Sequence, residues 1–115
     1  MNTLELDYTI SRKIKAMNKF GEVIRQRREE KELLLRHVAA QLDIDTAMLS
    51  KVERGERNAK REHVILLSKI LEIDNKELLT LWLADRVYEV IEDEEVGLNA
   101  LRVAEKEANY KNIKK

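Results

Sequence analysis

The sequence predicts an all-α protein, and three observations predict it. There is no proline and only three glycines in 115 residues, too few turn residues for a strand-rich fold. Aromatic residues make up 4% of the chain and charged residues 38%, so β-favouring side chains are scarce. From Asn18 onward, apolar residues recur at helical spacing. The length suits one domain with an appendage. With no cysteine, disulfides and thiolate metal sites are excluded.

Residues 1–17 read as an N-terminal extension, in which Leu4, Leu6, Ile10 and Ile14 form only a weak pattern. The domain proper is expected over 18–80. Asn18 is placed to cap a first helix that carries Phe20, Val23, Ile24 and Arg27 or Arg28 at helical spacing and ends near Lys31. A second helix spans Leu33 to Leu42, with Val38, Ala39 and Leu42 inward. Asp43, Ile44 and Asp45 break it, and Asp45 caps a third helix, Thr46 to Arg54, whose inner face is Leu49 and Val52. Gly55 stands where a left-handed residue ends that helix. After a polar loop, a fourth helix from about Glu62 to Leu71 buries Val64, Leu67 and Ile70 or Leu71. Asp74 caps a fifth, from Asn75 to about Ile91. Residues 81–115 read as a C-terminal helical extension. Its last helix is expected from Asp93 to about Tyr110, with Val96, Leu101, Ala104 and Ala108 near a 3.6 spacing.

The second and third helices carry the chemistry. Ala39 is small enough to let the third helix approach closely, and Ile44 plugs the turn between them. Leu49 and Val52 seat the third helix on the core. Its other face, with Asp45, Thr46, Ala47, Ser50 and Lys51, is left polar and free. A helix presented in this way fits a DNA major groove, about 12 Å wide.

In that register, Val38-Ala39, Leu42, Ile44, Leu49-Ser50, Val52 and Glu53-Arg54-Gly55-Glu56-Arg57 resemble the Xre family of lambda-repressor-like helix-turn-helix domains. The later Leu66, Leu67, Ile70, Leu71, Ile73, Leu78 and Leu79 resemble the helices that close such domains. The resemblance covers Phe20 to Leu79. It implies a lambda-repressor-like five-helix DNA-binding domain with an added C-terminal helix. Thr46, Ala47, Ser50 and Lys51 then occupy base-reading positions. Arg54, Arg57 and Asn58 fall at phosphate positions, to which Lys60 and Arg61 add. Glu53 matches a glutamate that pairs with an arginine of the first helix, here Arg28, as a structural ion pair. Two departures stand out. Asp43 replaces the usual turn glycine, and Leu35 replaces a glutamine that often supports the phosphate backbone.

The net charge of zero conceals an asymmetry. Residues 18–61 hold eleven basic and eight acidic side chains, whereas residues 62–115 hold eight basic and twelve acidic. Five of the basic residues, Lys51, Arg54, Arg57, Lys60 and Arg61, fall within eleven positions. Elsewhere such residues would be ordinary solvated surface. His37 and His63 stand alone on different helices, so no metal site or cofactor is expected. No nucleophile–base set or glycine-rich phosphate loop is present, and the chain reads as a non-enzyme. It has no membrane-spanning run or secretory signal, and a cytoplasmic location is expected.

The run Leu78-Leu79-Thr80-Leu81-Trp82-Leu83-Ala84 is apolar on nearly all sides and needs more cover than one core provides. Leu81, Trp82, Val87, Tyr88 and Ile91 are expected at a homodimer interface that the C-terminal helix completes. Packing within one chain is the plainer alternative. The expected partner is double-stranded DNA, bound at a palindromic operator by a dimeric repressor or autoregulator. The rival is a protein-interaction module, such as an antitoxin, that binds a partner through its C-terminal helices.

Overall fold

A computed structural model of the protein describes residues 18–114; the extension expected over 1–17 lies outside the described residues. Six helices are present among them: α1 (Lys19–Glu30), α2 (Leu35–Gln41), α3 (Thr46–Glu53), α4 (Arg61–Leu71), α5 (Asn75–Ile91) and α6 (Gly97–Lys114). No strand occurs among the described residues. None of these helices is long and apolar enough to cross a membrane.

The chain forms two compact units, one ending at Asp85 and the other beginning at Arg86. In the first, α3 packs against α2 and α1, and α1 packs against α4. The core comprises Phe20, Ile24, Val38, Ala39, Leu42, Leu49, Val52, Ala59, Val64, Leu67, Leu71, Leu78 and Trp82. In α1, α3, α4 and α5 the core residues lie three or four apart, the spacing that puts one stripe inward.

The helix ends are tightly specified. Asn18 Oδ1 accepts from the Gly21 amide (3.2 Å), Asp45 from Met48 (2.6 Å) and Asp74 from Glu77 (3.0 Å). Asp85, on α5, supplies a second cap to α1 from a distant part of the chain. Its carboxylate accepts from the Lys19 and Phe20 amides at 3.1 and 2.9 Å. A buried anion is favourable there because those amides have no partner within their own helix and carry the positive end of its dipole. At the other end of α4, Arg27 donates to the Leu71 and Glu72 carbonyls at 2.9 and 3.1 Å.

Among the described residues, four turns pass through the left-handed region, at Glu32 (φ 57°), Asp43 (58°), Gly55 (79°) and Glu72 (55°). After α1, α2 and α3, an amide bonds back to the carbonyl five residues earlier: Leu33 to Arg28, Ile44 to Ala39 and Glu56 to Lys51. This satisfies carbonyls that the helix itself leaves open. Asp43 holds the turn conformation without a glycine.

The first unit runs past the boundary expected at Thr80 because Trp82 and Asp85 are built into it. In the second unit, the last helix begins at Gly97 rather than Asp93. Four consecutive carboxylates, Glu92 to Glu95, precede it, and the turn is closed by Gly97 packing on Ile91. A side chain at Gly97 would place a Cβ 2.5 Å from the Ile91 carbonyl oxygen. Every described side chain of α6 from Leu98 to Asn112 is exposed.

Candidate nucleic-acid interface

The site is assembled around a short helix that cannot hold itself. With eight residues, α3 is well below the length at which an isolated helix is stable in water. Leu49 and Val52 are buried under it, Ala39 is buried on the facing helix, and Ile44 is half-buried between the two.

Its C-terminal end is clamped by α1 at two points. Asn18 Nδ2 donates to the Glu53 carbonyl at 2.9 Å. Arg28 meets the Glu53 carboxylate with two parallel bonds, Nε to Oε2 at 2.8 Å and Nη2 to Oε1 at 3.1 Å. Its remaining nitrogen donates to the Leu33 carbonyl at 3.0 Å. The side chains of Arg28 and Glu53 are only 14% and 6% exposed. The hydrogen bond to Glu53 raises the Arg28 pKa against the opposing effect of burial. Gly21 allows this approach: a Cβ there would lie 2.5 Å from the Glu53 carbonyl oxygen and 2.4 Å from Asn18 Oδ1.

Held this way, α3 turns Thr46, Ala47 and Lys51 to solvent, with Ser50 half-buried beside them. The loop beyond carries Arg54, Arg57, Asn58 and Lys60, all exposed, and leads into the exposed Arg61 at the start of α4. One residue of this loop is not exposed. Ala59 is buried in the core, and its carbonyl accepts from Trp82 Nε1 at 2.8 Å. Arg61 lies over the Trp82 ring, its Cζ 5.3 Å from the centroid. The basic loop is thus pinned in the middle, with its cations outward.

Arg54 is engaged within the chain. Its Nη2 donates to Glu56 Oε2 at 2.9 Å, and its Nη1 donates to the Ser50 hydroxyl oxygen. The pairing lowers the Glu56 pKa and raises that of Arg54.

Residues 24–77 match the family model described as helix-turn-helix. This segment is a helix-turn-helix domain of the Xre, lambda-repressor-like kind. The helix-turn-helix family is one of DNA-binding regulators. No curated protein and no solved structure matches the chain. The match begins inside α1 and ends inside α5, so Asn18, Gly21, Trp82 and Asp85, which brace the helix-turn-helix, lie outside it.

The expected assembly face needs correction. Trp82 does not wait for a second subunit: it belongs to the core, and Leu81 packs half-buried beside it. The reason is the α5 register. Leu78, Trp82 and Asp85 form the inward stripe, and the indole N–H finds its partner at Ala59. The apolar side chains that α5 leaves exposed are Leu83, Val87 and Val90, while Tyr88 and Ile91 are half-buried. Three roles escaped the sequence reading. Ala59 was signalled only by being small and apolar inside a charged loop. Asp85 was signalled by a carboxylate on an inward stripe. Arg27 gave no signal that distinguished it from Arg28.

Proposed function

We propose that the protein is a sequence-specific transcriptional regulator that binds duplex DNA as a homodimer, with α3 in the major groove. The observation that carries this reading is the clamped α3, whose outward face is continuous with a pinned loop of cations. Thr46, Ala47, Ser50 and Lys51 read base edges; Ala47 offers a methyl to thymine, and Lys51 reaches guanine. Arg54, Arg57, Asn58, Lys60 and Arg61 hold phosphates and set the register.

A single short helix reads only a few base pairs, so specific affinity calls for two. A two-fold pair on a palindromic operator would space its half-sites about 34 Å apart. The exposed Val87 and Val90 of α5, together with Leu98 and Leu101 of α6, supply apolar surface for such a pair. In that setting the protein represses or autoregulates. The exposed α6 also favours a second reading, in which the apolar residues of this helix capture a different protein, as an antitoxin does.

Salt-dependent binding to duplex DNA tests the proposal. With about four phosphate contacts per subunit, log K should fall with log salt at a slope of about −4 per subunit. Within that binding, Lys51→Ala should cost about 1–3 kcal/mol at the specific site and relax its base preference. Arg57→Ala should weaken all sequences alike. Binding that ignores salt, or both variants behaving as wild type, overturns the docking.

A further inference from the structure

The loop after α3 carries a carboxylate in the middle of its cations. Glu56 is held there by the backbone as well as by its side chain. Its amide bonds to the Lys51 carbonyl at 2.9 Å, closing the left-handed turn at Gly55 over the end of α3. That turn directs the Glu56 carboxylate at Arg54, 2.9 Å away, and Lys51 also acts on it electrostatically. The partners of this carboxylate are therefore a proposed phosphate contact and a proposed base contact.

We propose that Glu56 is an internal counter-ion that competes with the DNA backbone for Arg54 and so weakens the hold on DNA of any sequence. This rests on the DNA-binding reading above. An Arg54 guanidinium that turns to a phosphate must leave Glu56, and it leaves a carboxylate beside the polyanion. Both effects oppose backbone binding and are independent of sequence. Affinity for a correct site then depends more heavily on Thr46, Ala47, Ser50 and Lys51. The same guanidinium also donates to the Ser50 hydroxyl oxygen, so opening the pair changes the surroundings of a proposed base contact as well.

The test is electrophoretic titration of a random-sequence 30-bp duplex, as probe, with the full chain. The set comprises the wild type, Glu56→Gln, Arg54→Ala and the double variant, with circular dichroism confirming equal helicity. Glu56→Gln should bind about three- to tenfold tighter, with a salt slope steeper by about one. In the Arg54→Ala background the same substitution should gain less than about twofold, the remainder coming through Lys51. An equal gain in both backgrounds overturns the proposal, because Glu56 then acts only as diffuse charge. No gain in either background overturns it as well. If neither the wild type nor Glu56→Gln binds the duplex at low salt, the DNA-binding reading fails and this inference fails with it.

Discussion

The eight residues of α3 and the eighteen of α6 are held in opposite ways. The shorter helix is fixed by buried Leu49 and Val52 and by Asn18 and Arg28 at its end. The longer one has no buried side chain among those described and displays Leu98, Leu101, Val103 and Tyr110. Length does not decide which helix is well defined. A helix that must meet base edges at fixed distances is held by groups outside itself, and its free face is polar. A helix with apolar residues outward is suited to being covered, which is the role the proposed dimer gives it.

The largest expected effect breaks the α3 side of this contrast. Arg28→Met leaves the buried Glu53 carboxylate without its partner and should cost about 3–5 kcal/mol in urea unfolding. A loss below about 1 kcal/mol would mean that the apolar seat alone holds α3. Next is Trp82→Phe, which keeps an aromatic ring but loses part of the buried volume along with the donor to the Ala59 carbonyl. It should cost about 1–3 kcal/mol in the same measurement. It should also weaken binding to every duplex, because the basic loop loses its anchor. The smallest effect lies on α6. Leu101→Ser should change the unfolding free energy of dilute protein by no more than about 0.5 kcal/mol. In sedimentation it should nevertheless weaken self-association. A large drop in stability for that variant would show that α6 is covered within its own chain.

Much of the first unit could be read from the sequence because its signals were local. Asn18, Asp45 and Asp74 announced helix starts by chemistry, and Gly55 announced a stop. The buried stripe followed from spacing. The less legible parts depended on residues acting outside their usual preferences or across the chain. Glu32 and Glu72 end helices in a conformation that disfavours most side chains, so neither looked like a stop. Leu34 precedes α2 without a side-chain cap, which is why that helix starts later than its apolar pattern suggested. Asp85 caps α1 from 65 residues away. Trp82 misled for a similar reason. An apolar helix shows how much cover it needs but not where the cover lies, and for the indole the cover was an alanine in a charged loop.

The indole of Trp82 has one more consequence. It is the chain's only tryptophan. Its N–H is tied to the loop at Ala59, and its face carries Arg61. A guanidinium that leaves this face for a phosphate removes a cation from the excited ring, and any shift of the loop strains the bond to the indole. The intrinsic emission of the unlabelled protein is therefore an optical gauge of the basic loop, readable at each step of a titration without a dye.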